Sequence, residues 1–212
     1  MSSGGAGVPD STAAPVPRAS NWNVANGLTA LRLLLVPLFG WLLLVDGGDN
    51  PRYRVLAALV FAVAAVTDRV DGELARRRGL VTDVGKIADP IADKALIGTA
   101  LVGLSLLGEL AWWITVAVLV REIGITVLRL VVLRHGVMPA GRGGKAKTAL
   151  QSLAIVLYLL PLPAALHPVA EVVMAIAVVL TLVTGVDYVV KAWRLTRTSP
   201  RALARRAAKD TA

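Results

Sequence analysis

The stretch DRVDGELARRRGLVTDVGKIADPIAD, Asp68 to Asp93, joins two apolar segments and sets four aspartates, Asp68, Asp71, Asp89 and Asp93, at their inner ends. Carboxylates at the margin of apolar spans are costly and mark chemistry rather than packing. Asp68 and Asp71 are three residues apart, Asp89 and Asp93 four apart, so each pair projects from one face of its helix. Bringing the two faces together makes a pocket of four carboxylates. Four such charges in a partly dry pocket repel one another unless cations neutralise them.

The chain around this stretch is 56% hydrophobic and only 17% charged, with a mean hydropathy of +0.66. That balance belongs to a membrane protein. Segments of about 20 apolar residues cross the hydrocarbon, and six are expected, near 24–45, 54–76, 88–108, 111–134, 147–166 and 168–190. The expected fold class is therefore an all-α membrane protein with six transmembrane helices, over residues 22–192. Residues 1–21, rich in Ser, Gly, Ala and Pro, are expected to form a disordered tail. The first apolar run begins late and lacks a basic region in front of it, so it reads as a span rather than a cleaved leader.

The net charge of +9 is unevenly placed. Arg69, Arg76, Arg77, Arg78 and Lys86 lie between the second and third spans, and Arg134, Arg142, Lys145 and Lys147 between the fourth and fifth. The segment 193–212 forms a basic tail, whereas the opposite loops hold Arg52, with Arg54 at the margin. The positive-inside rule puts the basic side, both termini and all four aspartates in the cytoplasm of a multi-pass protein of the cell membrane. Nucleic acid is not an expected partner, because aromatics are few outside the spans and no binding module is present. Anionic membrane lipids fit the basic face, with the tail as a surface helix.

Cysteine is absent and there are two histidines, His135 and His167. Thiolate nucleophiles and cysteine-bound metals are excluded, and the carboxylates point to hard cations such as Mg2+ or Mn2+. Two such ions about 4 Å apart would clamp a diphosphate and offset charge on attacking and leaving oxygens. This is phosphoryl-transfer chemistry. Arg76, five residues after Asp71, reaches the same site for phosphate oxygens, and Gly72 and Ala75 lack bulk, letting a base or sugar pack against the helix.

Other polar residues in the spans bear two readings. Asn26, Thr29 and Arg32 line one face of the first span. Arg32 either snorkels to the interface or pairs with an anion in a polar cavity, and Thr29 on the same face favours the cavity. Arg121 and Glu122 in span four are either a structural ion pair or part of the site. The loop RHGVMPAGRGGKAKT, Arg134 to Thr148, suits an anion-binding edge as well as a plain connection. Span five carries little polarity beyond Gln151, Ser152 and Tyr158, and Asp187 in span six is four residues before Lys191, a local pair.

The string Asp68-x2-Asp71-Gly72-x2-Ala75-Arg76-x8-Gly85-x3-Asp89-x3-Asp93 resembles the signature of the CDP-alcohol phosphotransferase family at all eight of its fixed positions. That resemblance implies six helices around a cytoplasm-facing polar cavity, usually in a homodimer, with two metal ions per active site. Asp68 and Asp89 would bridge the ions, Asp71 would bind one, and Asp93 would bind the other and serve as base. Gly72, Arg76 and Thr82 match positions that contact the CDP donor, and Asn26, Thr29 and Arg32 are grouped with them. Ala75 and Gly85 belong to the motif as close-packing positions.

Asn26-x2-Thr29-x2-Arg32, the DPIADK around Asp89, the Arg121-Glu122 pair and the GGKAKT stretch look like the branch whose acceptor is glycerol 3-phosphate. The implied reaction is transfer of a phosphatidyl group from CDP-diacylglycerol to sn-glycerol 3-phosphate, giving phosphatidylglycerophosphate and CMP. Arg121, Arg142, Lys145 and Lys147 are the candidates for the acceptor's phosphate. Inositol phosphate, or phosphatidylglycerol as in a cardiolipin synthase, are alternative acceptors. A cation transporter is the alternative of another class, and it would spread acids through the membrane depth rather than gather them at one face.

Overall fold

The computed structural model describes residues 24–78, 83–132 and 142–198, and their side chains except at residues 24–25, 69–87, 129–132, 142–145 and 195–198. Six α-helices follow in order: α1 (Val24–Leu44), α2 (Pro51–Arg78), α3 (Asp83–Leu106), α4 (Trp112–Val132), α5 (Arg142–Leu159) and α6 (His167–Thr198). Single 3-10 turns at Val45–Gly48 and Ala164–Leu166 precede α2 and α6, and no strand occurs among the described residues.

The turns follow from local chemistry. Gly47 and Gly48 take positive φ after α1, and Pro51 opens α2 at a position where a missing amide hydrogen costs little. Gly108, at φ +75, ends α3, with Leu107 N donating to Gly103 O and Glu109 N to Leu104 O. α5 stops at Leu159, shorter than the expected span to residue 166, because Pro161 and Pro163 cannot supply amide hydrogens. α3 begins at Asp83 rather than near Lys86, so Pro90 sits inside the helix and not in its first turn. α6 runs unbroken to Thr198, past the expected edge of the membrane domain at residue 192. The tail 1–21 and His135 lie outside the described residues, as does the C-terminal tail beyond Thr198.

The core gathers Phe39 and Leu43 of α1, Phe61 of α2, Leu101 and Leu104 of α3, and Ile155 and Leu159 of α5. Phe39 and Phe61 meet with ring centroids 5.6 Å apart. Outward, Leu34, Val63, Trp113, Val120 and Val186 expose apolar side chains, an arrangement suited to lipid rather than water. Segments Asn26–Gly48 and Ala164–Arg194 are long and apolar enough to cross a membrane.

Polar side chains tie the helices at the end remote from the aspartates. Arg54, 6% exposed, donates through Nη2 to Glu109 Oε2 (2.7 Å) and to Tyr158 O (2.5 Å), and through Nε to Leu159 O (3.2 Å). The last carbonyls of α5 thereby gain a cation, which the helix dipole favours. Thr115 Oγ1 of α4 donates to Leu101 O (3.1 Å) and lies 2.7 Å from Ser105 Oγ, fastening α4 to α3.

Candidate active site

α1 packs against both α2 and α3, and two of its side chains, one turn apart, each engage an aspartate on a different neighbour. Thr29 Oγ1 donates to Asp89 Oδ1 of α3 at 2.5 Å. Arg32 Nη1 pairs with Asp68 Oδ1 of α2 at 2.7 Å, while its Nε donates to Ala64 O at 3.3 Å. At 1% exposure, Arg32 is no snorkelling cation; it is a buried partner of a carboxylate. Such an arginine offsets the charge of Asp68 and fixes its direction.

Asp93 stands one turn beyond Asp89 on α3 and interacts electrostatically with Asp68, Lys94, Glu122 and Lys147. Carboxylates of α2 and α3 thus share one site, and α4 and α5 bring a second charged cluster beside it. Glu122 accepts hydrogen bonds from Lys147 Nζ of α5 and from Arg121 Nη1, the latter at 2.8 Å. Lys147 is 3% exposed. Arg121 also donates from Nε to Thr181 O (3.1 Å) and from Nη2 to Thr184 Oγ1 (3.0 Å), anchoring α4 to α6. Gly185 leaves room for it, since a Cβ there would lie 3.1 Å from Arg121 Cγ. Of this cluster, Asp93 feels the Glu122 carboxylate and the Lys147 ammonium.

Of the residues expected at the site, Thr29, Arg32, Asp68, Asp89 and Asp93 come together, with Arg121 and Lys147 at the adjoining Glu122 cluster. Asn26 is on the same helix, half-buried. Asp71, Gly72, Ala75 and Arg76 lie on α2, Gly85 on α3, and Arg142 and Lys145 in the first turn of α5, with side chains outside the described set. Thr82 lies outside the described residues altogether.

One residue gained weight only from the structure. Gln151 is 1% exposed, and neither its Nε2 nor its Oε1 has a hydrogen-bond partner among the described residues. The sequence signal was its place four residues after Lys147, on the same helical face.

The donor set suits a hard cation. Its donors are carboxylate oxygens of neighbouring helices, and the chain has no cysteine. Among the described residues no three acidic or histidine side chains close into a complete cage; the Asp71 carboxylate lies outside them.

A six-helix chain with aspartates from two helices meeting beside a basic cluster is the frame of a membrane phosphotransferase. The chain belongs to the CDP-alcohol phosphatidyltransferase family, which it matches over residues 22–183. Members are membrane enzymes, generally dependent on divalent metal, and act in phospholipid biosynthesis. The chain is 56% identical over 177 residues to a Mycobacterium tuberculosis protein named as a probable phosphatidylglycerophosphate synthase, covering 84% of this chain and 85% of that one. It is 35% identical over 191 residues to the CDP-diacylglycerol--glycerol-3-phosphate 3-phosphatidyltransferase of Bacillus subtilis, covering 84% and 99%. A Streptomyces coelicolor cardiolipin synthase is 39% identical over 116 residues, about half of each chain (55% and 54%).

Proposed function

We propose that this protein transfers the phosphatidyl group of CDP-diacylglycerol to the C1 hydroxyl of sn-glycerol 3-phosphate, releasing CMP and forming phosphatidylglycerophosphate. The observation that carries this reading is the meeting of Asp68, Asp89 and Asp93 in a chain 56% identical to a protein of that printed name. All six helices span the membrane in this reading, with both termini and the site on the cytoplasmic side and two copies forming a homodimer. Charge asymmetry supports the orientation.

Asp93 takes the proton of the C1 hydroxyl, whose oxygen attacks the lipid-side phosphorus as the bond to the CMP oxygen breaks. Asp68, Asp71, Asp89 and Asp93 would hold two ions, Mg2+ or Mn2+, which when bound neutralise the diphosphate. Arg32 and Thr29 keep Asp68 and Asp89 directed inward. Gly72, Arg76, Thr82 and Asn26 serve the CDP moiety, with Ala75 and Gly85 giving close packing. Arg142 and Lys145 receive the acceptor's phosphate, aided by Arg121 and Lys147. The acyl chains lie in the apolar groove of about 500 Å³ between α4 and α6, lined by Val120, Ile125, Leu128, Leu182 and Val186 and bordered by Arg121.

The test is CMP release by purified enzyme given CDP-diacylglycerol with glycerol 3-phosphate, inositol phosphate or phosphatidylglycerol, with and without excess EDTA. Glycerol 3-phosphate is expected to work and EDTA to stop it. Inertness toward glycerol 3-phosphate with turnover of another acceptor overturns the acceptor assignment. Activity persisting in EDTA overturns the metal assignment. Phosphatidylglycerol is the second acceptor of interest, because the Streptomyces relative carries the cardiolipin synthase name.

A further inference from the structure

Gln151 is a neutral amide inside a helical bundle at 1% exposure, with both polar atoms unpartnered among the described residues. Leaving a buried amide group unpaired costs about 1–3 kcal/mol, and buried polar atoms in folded proteins are otherwise almost always bonded. Replacing this glutamine with an apolar side chain of similar size would remove that cost. Its presence therefore points to a partner that arrives from outside the fold.

Position narrows the partner. Gln151 follows Lys147 by one turn, about 6 Å along α5, and Lys147 is bound to Glu122 and within the field of Asp93. Lys147 and Gln151, four residues apart, share one face of α5. A phosphorylated polyol whose phosphate meets Lys147 places its hydroxyls within reach of the amide.

Chemistry narrows it again. A carboxamide offers a donor and an acceptor side by side, the complement of a hydroxyl, which both gives and takes a hydrogen bond. A phosphate has only acceptors to offer. We infer that the Gln151 carboxamide binds the C2 hydroxyl of the glycerol acceptor and so selects a vicinal diol over an acceptor with a single hydroxyl. This inference rests on the acceptor reading given above.

The experiment compares glycerol 3-phosphate with 3-hydroxypropyl phosphate, which lacks only the C2 hydroxyl, as acceptors for the full-length enzyme in detergent with CDP-diacylglycerol. Wild-type enzyme is expected to favour glycerol 3-phosphate in kcat/KM by roughly tenfold to a hundredfold, the worth of one buried amide-to-hydroxyl contact. Gln151→Met is expected to bring that ratio to within about twofold of unity, with the KM for CDP-diacylglycerol unchanged. Its melting temperature should equal or exceed the wild-type value, because an unpaired amide has left the core. A glutamine serving only as packing, or bound to an internal water, would instead lower both acceptors' rates together and keep their ratio. A retained ratio in Gln151→Met, or a wild-type ratio near one, overturns the inference. Should the Met variant not fold, Gln151→Ala gives the same comparison without added bulk. Wild-type enzyme inert on glycerol 3-phosphate would refute the acceptor reading itself, and this inference with it.

Discussion

Glu122 holds two cations, and removing it tests whether the bridge to Lys147 carries stability, function or both. In Glu122→Leu the Lys147 ammonium, 3% exposed, loses its carboxylate, while Arg121 keeps Thr181 O and Thr184 Oγ1. The cost therefore falls mainly on Lys147. At an effective dielectric near 20, the 2.8 Å contact to Arg121 alone is worth about 6 kcal/mol before desolvation. Glu122 is 18% exposed, and breaking a buried pair typically costs about 3–5 kcal/mol, so the lower end, about 3 kcal/mol, is expected. For a chain of this size that lowers the melting temperature by about 6–12 °C. The assay is thermal unfolding in detergent, followed by tryptophan fluorescence, for Glu122→Leu, Lys147→Met and the double variant. With both charges gone the double variant should melt within about 1 kcal/mol of wild type, a strong positive coupling. Its transfer activity should stay low, because Lys147 no longer faces Asp93 and the acceptor. Additive losses, with the double variant no more stable than Glu122→Leu, would refute the bridge as the source of the effect.

Arg54→Met removes the cation from the C-terminus of α5 and its bond to Glu109; a loss of about 2–3 kcal/mol is expected in thermal melts, with kcat/KM per folded molecule unchanged. Gly103→Ala forces a Cβ to 2.4 Å from Leu43 Cδ2 and should destabilise by about 1–3 kcal/mol, and Leu43→Val in the same chain should recover part of it; equal melting of Gly103→Ala and wild type would contradict the packing. Asp93→Asn is expected to abolish CMP release while leaving metal-dependent binding of CDP-diacylglycerol largely intact, measured by equilibrium binding; near-normal turnover would remove Asp93 as the base.

The helices were legible in the chain because apolar runs, glycines and prolines mark them. Trp112 after the Gly108 turn follows directly, whereas α5 stops at Leu159, short of the residue 166 to which the apolar run extends, because Pro161 and Pro163 follow. The start of α3 was not legible. Asp83, Lys86 and Asp89 interrupt apolar periodicity, so the first turn reads as connection although its backbone is helical. The membership of the site was visible in the aspartate spacing, but the partnerships were not. Asp68 is 36 residues from Arg32, and Asp89 is 60 from Thr29; such pairings depend on how helices cross, and periodicity within one helix says nothing of that. The Arg121–Glu122 contact was also unreadable in detail, because adjacent helical residues do not ordinarily face each other. Both side chains reach a common point, drawn by Lys147 on one side and Thr184 on the other.

These partnerships explain how a chain with so uniform an apolar surface specifies one arrangement. In hydrocarbon, lipid tails are as apolar as leucine, so burying Leu or Val against another helix does little to choose among crossings. Polar side chains choose instead. Arg32 with Asp68 and Thr29 with Asp89 set α1 against α2 and α3; Thr115 with Leu101 O sets α4 against α3; Arg121 with Thr181 O sets α4 against α6, and Lys147 with Glu122 sets α5 against α4. Each pairing joins two helices, and each would be broken by a shift of one turn. The same residues that direct the aspartates thereby fix the helices that carry them. Gln151 departs from this pattern, since neither of its polar atoms has a partner among the described residues of another helix. It does nothing to select the fold, and the physical reason for burying it lies with what the folded protein binds.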